Sequence, residues 1–304
     1  HKLLSHECSA PTGKFAEYYW KYHEYQLLMK IAQKNTVEAL QGMASIIDDE
    51  KLFAEHVFIE DVQHLNVIER AITMQKEEMV QYVLSLQAVK SRYFAQDGID
   101  LVWRTVFWLF GTPDISEETI DFVLKEFDIS GERLAGLLTH KCKAPETKLT
   151  DDAVEYHRLS ILGRTTLSST PEALRKFAEM IGEKVFVEHI FDADGWNVSG
   201  LERCIESGDV AMMEYVVSFE GIKDKCLNDK DVLFRIMYWL CHTEDEEMSH
   251  YLVTTLGLDE MKLKELQKHA CTKPEDGEFE EDAYVYWDKA ISDEMIQQIL
   301  SHKD

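Results

Sequence analysis

The chain has 304 residues and 45% of them are hydrophobic, so it can bury a sizeable core and is not of a low-complexity class. Its formal net charge of −25 argues against nucleic acid and anionic membranes as partners, because both attract clustered lysine and arginine. The charge favours either a basic protein partner or solubility alone. The longest apolar candidate for a membrane span, Leu101–Phe110, is too short and contains Arg104.

Apolar residues at helical spacing predict an all-α fold of helix–turn–helix pairs with almost no strand. Met79, Val80 and Val83 begin one such apolar stripe, and Thr170 before Pro171 is typical of a helix start. Seven pairs are predicted in chain order: 22–32 with 36–47, 65–74 with 77–86, 101–110 with 117–127, 156–162 with 171–181, 198–205 with 210–219, 232–240 with 246–256, and 284–291 with 294–300.

The chain also repeats itself with a period of about 130 residues, which is typical of repeat architectures. Lys51–Phe58 returns as Lys184–Phe191, and Ile68–Ile72 returns as Leu201–Ile205. The repeat predicts an α-solenoid with these parts: 1–11 as the end of a preceding unit, 12–145 as the first unit, 146–274 as the second, and 275–304 as the start of a third. This phase predicts a segment of a longer array, and a chain trimmed at a convenient point is the alternative.

A dense aromatic cluster comes early in the chain and consists of Tyr18, Tyr19, Trp20, Tyr22 and Tyr25. Tyrosine and tryptophan favour interfaces because they combine a large apolar area with a polar group. The cluster is therefore the candidate protein-binding site, with packing between adjacent helix pairs as the alternative.

Three equivalent positions of the repeat carry a histidine two residues before a cysteine: His6 and Cys8, His140 and Cys142, and His269 and Cys271. Zinc needs four close ligands, and each unit offers only one histidine and one cysteine here, so no metal site is predicted. We expect the histidine to favour a helix C-terminus and the cysteine to fill an apolar gap. Equivalent cysteines on successive large units are not placed to pair, which predicts reduced thiols in a cytoplasmic protein.

The remaining polar motifs are expected to be structural, and neither a catalytic set nor a cofactor is predicted. His56 and His189 recur without a nucleophile or an orienting partner, and each is expected to bond a carboxylate of the next helix pair. The segment Asp192–Asn197 lacks the ligand spacing of a calcium loop. The acidic run Thr243–Glu247 is expected to be a solvated helix start or a contact for a basic partner.

The segment Glu206–Ser218 resembles the middle of an ankyrin repeat, where a first helix ends at a polar-glycine turn and an amphipathic helix follows. Asp97-Gly98 and Asp194-Gly195 resemble the dipeptide that opens the ankyrin hairpin loop. The resemblance is best over 65–127 and 198–256, and the Thr-Pro-Leu-His signature of the family is absent. It implies a degenerate, ankyrin-like helical repeat.

Taken together, these features predict a non-catalytic scaffolding protein that binds protein partners or assembles with copies of itself. Duplicated units present equivalent surfaces, so one partner could bind repeatedly with avidity. The alternative function is a regulatory binding module attached to a larger enzyme or signalling protein.

Overall fold

The computed structural model describes residues 26–96, 98–146, 154–243, 245–273 and 283–301. These residues form an all-α fold of nineteen helices, and the only strand-like pairing among them is an isolated bridge between Ala193 and Ser199. The predictions of an all-α fold and of almost no strand are therefore confirmed. The chain divides into two compact units, one comprising 1–133 with 140–157 and the other 134–139 with 158–304.

The helices recur in triplets, and the two repeats contain the same series of nine. The first series is α1 (Leu27–Lys34), α2 (Val37–Ile47), α3 (Glu50–Val57), α4 (Val67–Thr73), α5 (Glu77–Ser85), α6 (Gln87–Tyr93), α7 (Ile99–Phe110), α8 (Glu117–Glu126) and α9 (Gly131–Leu138). The second is α10 (Ile161–Ser168), α11 (Pro171–Ile181), α12 (Glu183–His189), α13 (Gly200–Ser207), α14 (Val210–Val217), α15 (Glu220–Asn228), α16 (Lys230–Thr243), α17 (Glu246–Thr255) and α18 (Glu260–Leu266). A last helix, α19 (Asp293–Ser301), follows.

Each of the first six predicted pairs is thus followed by a third helix that the sequence pattern does not predict. These third helices have only seven to nine residues, which is two turns. Two turns show too few apolar positions for the helical period to stand out from the surrounding loops. They are stabilised by packing, as α3 against α6 in the first unit and α15 against α16 in the second.

Two predicted helix starts are wrong for a common reason. Residues 156–158 form a turn, and α10 begins only at Ile161, where the Ser160 hydroxyl accepts a hydrogen bond from the Gly163 amide. Residues 283–291 contain no helix, so the seventh pair has only its second member, α19. Both segments instead carry a buried tyrosine, Tyr156 or Tyr286, that lies over the guanidinium of an arginine.

Within each unit, helices of the same rank in successive triplets contact one another. In the first unit α1 contacts α4 and α4 contacts α7, while α2 contacts α5 and α5 contacts α8. In the second unit α10, α13 and α16 follow one another in the same way, as do α11, α14 and α17, and α19 contacts α16, α17 and α18. The core lies between these rows and contains the large apolar residues of the first helices, including Phe107 and Phe234.

The turns keep their left-handed backbone in both repeats although the residues change. Positive φ angles occur at Asp48, His64, Gln75 and Asp128 in the first series, and at Gly182, Asn197, Gly208 and Gly257 at the equivalent positions of the second. Glycine and asparagine reach this region at little steric cost, whereas the other side chains are held there by the surrounding fold. The repeat is therefore one of backbone conformation as well as of sequence.

Candidate functional site

A buried arginine lies at the centre of the first unit. The Arg104 Nη2 atom donates to Glu69 Oε2 and to the His64 carbonyl oxygen, both at 2.6 Å, and Nη1 donates to Glu60. The ring of Tyr156 lies 4.5 Å from the guanidinium carbon and covers it. Glu69 also accepts from the backbone of Asn66 in a capping box, so the network joins α4, α7 and the preceding loop.

The second unit contains the same network around Arg235. Its Nη2 atom donates to Glu202 Oε2 at 2.6 Å and to the Asn197 carbonyl oxygen at 2.8 Å, and Glu202 closes the capping box of α13. Tyr286 lies over the guanidinium with its ring 4.5 Å away, and its hydroxyl accepts from Trp239 Nε1 at 2.7 Å. The Glu202 carboxylate is buried, and its pairing with Arg235 repeats that of Glu69 with Arg104, which marks the pair as part of the scaffold.

The electrostatics of the first network agree with that role. Burial raises the pKa of Glu69, and the guanidinium of Arg104 opposes the rise. Burial by itself would lower the pKa of Arg104, but Glu69 and Glu60 raise it above its ordinary value, so the arginine stays charged. Removing either partner would leave the other as a buried charge without compensation.

A second arginine in each unit closes the loop before the first helix. Arg203 donates to Asp194 Oδ2 through Nε at 3.1 Å and Nη2 at 2.8 Å, and Arg70 donates to Asp61 Oδ2 through Nη2 alone. The other oxygen of Asp194 accepts from the backbone amides of residues 196 and 198. All the carboxylate lone pairs of Asp194 are thereby directed at protein donors.

The recurring histidine and cysteine meet an aspartate that local spacing does not reveal. His140 Nε2 lies 2.6 Å from Asp100 Oδ1, and His269 Nε2 lies 2.6 Å from Asp231 Oδ1. Each histidine lies just after the C-terminus of a helix, α9 or α18, and bonds a carboxylate in the first turn of a different helix. Cys142 and Cys271 are buried, as predicted for residues that fill apolar gaps.

The histidines of the Glu-His repeat have different environments. His189 Nδ1 lies 2.6 Å from Asp192 Oδ2 three residues later, so its carboxylate partner is local and not in the next helix pair. His56 is buried at the equivalent place in α3, and burial lowers its pKa. The acidic run predicted as a helix start does begin α17, with Asp245 accepting from the Met248 amide at 2.9 Å.

Half-exposed aromatic residues occupy equivalent positions on the second helices. Tyr82 in α5 corresponds to Tyr215 in α14, and Phe122 in α8 corresponds to Tyr251 in α17. Exposed carboxylates lie on the same helices: Glu78, Glu117, Glu118, Asp121, Glu214, Glu246 and Glu247. We call these four aromatic residues and seven carboxylates the aromatic–acidic surface, which has one part in each unit.

The phenols of this surface lie in a negative field. The pKa of Tyr215 is raised by partial burial and then by Glu179, and that of Tyr251 by partial burial and then, among the charged groups, by Glu214. The guanidinium carbon of Arg175, an exposed residue, lies 5.3 Å from the centroid of the Tyr215 ring. The surface therefore already holds one cation against an aromatic ring.

The carboxylate of Glu77 fixes the two helices that carry the first-unit part of this surface. It accepts from the Ser116 amide at 2.9 Å, from the Ser116 hydroxyl, and from the Thr119 hydroxyl at 2.6 Å. Burial would raise the pKa of Glu77, but these three hydrogen bonds outweigh it and lower the pKa below the usual range. The bonds join the start of α5 to the start of α8.

The lowered pKa predicts a pH-dependent contribution to stability. A carboxyl whose folded pKa lies below its unfolded pKa stabilises the fold above the unfolded value, about 4.3, and loses this contribution as the pH falls through the folded value. We expect Glu77→Gln to be less stable than wild type at neutral pH, with the difference shrinking below about pH 4. Urea unfolding followed between neutral and acidic pH measures it. Glu78→Gln, on the exposed side of the same turn, is the control, and an equal effect in both variants would contradict the assignment.

The predicted binding cluster Tyr18–Tyr25 lies outside the described residues, as do His6, Cys8 and Asp97. It therefore stays a prediction. The sequence analysis missed the aromatic–acidic surface, although its signal was present: Tyr82 and Tyr215 stand inside the repeated segments Met79–Val83 and Met212–Val216. Because both tyrosines lie among buried positions of the repeat, their sequence pattern predicts core residues, and only the structure shows that they are half exposed.

No described helix is long and apolar enough to cross a membrane. Comparison with protein-family models, with curated proteins and with solved structures finds no match for this chain.

Proposed function

We propose that this protein is a non-catalytic repeat scaffold that binds a basic segment of a partner protein on its aromatic–acidic surface. The observation that carries the proposal is the recurrence of a half-exposed aromatic residue beside exposed carboxylates at equivalent positions of both units. A lysine or arginine gains from both groups, because the ring face and the carboxylate each attract a cation. The net charge of −25 adds long-range attraction for such a partner.

Two equivalent surfaces favour a partner with repeated basic residues. A segment that engages both would bind more tightly than either contact alone, since the second contact is intramolecular. The similar networks around Arg104 and Arg235 support the same idea, because each joins two first helices of its own unit through a buried glutamate.

We further propose that the units are degenerate ankyrin-like repeats arranged as a solenoid. The loop closed by Asp194, the capped first helix α13, the left-handed Gly208 and the second helix α14 follow one another in the order of that family. The third helix of each triplet is an addition to that plan. A reducing, cytoplasmic location is part of the proposal and is supported by Cys142, Cys204, Cys226, Cys241 and Cys271, which are free thiols in the structure.

Binding of a fluorescent lysine–alanine peptide to the full chain tests the proposed function. We expect Tyr215→Ser combined with Tyr251→Ser to weaken binding about 2- to 30-fold, from loss of one or two cation–π contacts of ~0.5–1 kcal/mol each. Removal of Tyr82 and Phe122 as well should reduce the affinity further, through loss of avidity. Binding should also weaken as salt is added.

The control variant is Tyr238→Ser, which removes a half-exposed tyrosine of the first helix α16 whose ring contacts His242 and Tyr286. A matched glutamate–alanine peptide controls for charge. Equal losses in Tyr238→Ser and in the surface variants, or no loss in either, would show that the peptide meets only the general negative charge and would overturn the proposed site.

A further inference from the structure

The segment that follows α18 brings three ligand types to the start of α16. His269 Nε2, Cys271 Sγ and a carboxylate oxygen of Asp231 all lie within 4.8 Å of one another. Asp231 and His269 are 38 residues apart in the chain, and a hydrogen bond joins them. Among the described residues this is the one such group of histidine, cysteine and carboxylate ligands.

We propose that Asp231, His269 and Cys271 form a binding site for a zinc ion. The proposal is independent of the partner-binding function. The three ligands range from the soft thiolate through imidazole to the hard carboxylate. Zinc lies between hard and soft metals and binds all three types. Three protein ligands leave a fourth tetrahedral position open to water.

The geometry requires only small movements. Zinc binds nitrogen and oxygen at about 2.0–2.2 Å and sulfur at about 2.3 Å, so adjacent tetrahedral ligand atoms stand roughly 3.4–3.8 Å apart. The pair Asp231 Oδ1 and His269 Nε2, now hydrogen-bonded at 2.6 Å, must open by about 1 Å to admit the ion. The sulfur of Cys271 already faces α16, with the Asp231 carbonyl oxygen 4.0 Å away.

Metal binding here is coupled to proton release. A zinc ion binds the thiolate, so the zinc–sulfur bond forms as the S–H bond of Cys271 breaks and its proton passes to solvent. Affinity is therefore expected to rise with pH.

The first unit provides a matched control in the same chain. Asp100 and His140 make the same 2.6 Å hydrogen bond, and Cys142 is buried to the same extent as Cys271, 7% exposed in each case. The sulfur of Cys142 does not join them in a group as close as that of the second unit. The hydrogen bond is thus common to both units, and the complete ligand set belongs to the second.

Cobalt titration of the chelator-treated full chain tests the site. We expect one equivalent of Co²⁺ to bind with a thiolate-to-cobalt absorption band and to be displaced by Zn²⁺. The band should be lost in Cys271→Ser and in Asp231→Asn, and retained in Cys142→Ser and Cys8→Ser. Circular dichroism confirms that each variant is folded.

No uptake of cobalt by the wild-type chain would overturn the proposal, as would a thiolate band that persists in Cys271→Ser. If the band were lost in Cys142→Ser but retained in Cys271→Ser, the metal would bind in the first unit, and this result would also overturn the proposal. A zinc-dependent rise in thermal stability that is absent from Cys271→Ser is the second expected readout, since an ion that binds only the folded state stabilises it.

Discussion

Arg104→Met is expected to destabilise the protein by about 3–5 kcal/mol, the cost of breaking a buried ion pair by removing one partner. Arg104 is 6% exposed and Glu69 is 0% exposed, so Glu69 would remain as a buried carboxylate without its guanidinium. The His64 carbonyl oxygen would lose its donor too, and the Tyr156 ring would lose the cation that it covers. Urea unfolding monitored by circular dichroism measures the change in the free energy of unfolding.

Two further variants isolate the cause. Glu69→Gln in the Arg104→Met background removes the stranded charge and keeps an acceptor for the Asn66 amide, so it should recover part of the lost stability. Arg92→Met removes an exposed arginine on α6 and should change stability by less than about 0.5 kcal/mol. If Arg104→Met were as mild as Arg92→Met, the buried network would not hold the first unit together.

Phe186→Ala is the second substitution with a large expected effect, again about 3–5 kcal/mol, because it leaves a cavity in a packed core. Phe186 is fully buried in α12, with its ring centroid 5.1 Å from that of Phe219 and 6.4 Å from that of Tyr215. The loss should appear as a lower midpoint of urea unfolding with an unchanged slope.

The same substitution links the core to the proposed surface. Because the Phe186 ring lies beside Tyr215, we expect Phe186→Ala to weaken peptide binding through that tyrosine as well as to lower stability. Phe94→Ala is the control, since Phe94 is 54% exposed and its removal should cost less than about 0.5 kcal/mol. Equal losses of stability in the two variants would contradict the packing seen around Phe186.

The two proposals fail separately. The tyrosine variants test peptide binding at α14 and α17. The cobalt band tests metal binding at the start of α16 and in the segment after α18. A chain that binds zinc but not basic peptides would keep the metal site and lose the scaffold proposal. The reverse result would leave the scaffold as proposed.

Gly200 differs from its counterpart in the first repeat, and the packing of the second unit explains why a glycine stands there. Gly200 in α13 stands where the first unit has Val67, and a Cβ at Gly200 would lie 2.9 Å from Ile190 Cδ1. Its carbonyl oxygen accepts from the Thr166 hydroxyl of α10 at 2.8 Å. The glycine therefore leaves room for Ile190 at the C-terminal end of α12, which a larger side chain would crowd.

The sequence by itself determined the helical class and the internal repeat. Apolar spacing in segments such as Met79–Val83 reports one buried helix face, and the returning motifs report a shared core, because both are local properties of the chain. It also marked the equivalent histidine and cysteine positions.

Only the tertiary structure decided what those positions contact. Asp231 lies 38 residues before His269, and Arg104 lies 35 residues after Glu69, so no local spacing could pair them. The short third helices likewise depend on packing, since two turns of helix are not stable alone. The non-helical segment at Tyr286 also depends on packing, because the Tyr286 ring covers the guanidinium of Arg235. Local propensity specifies the elements, and burial between distant elements specifies the sites.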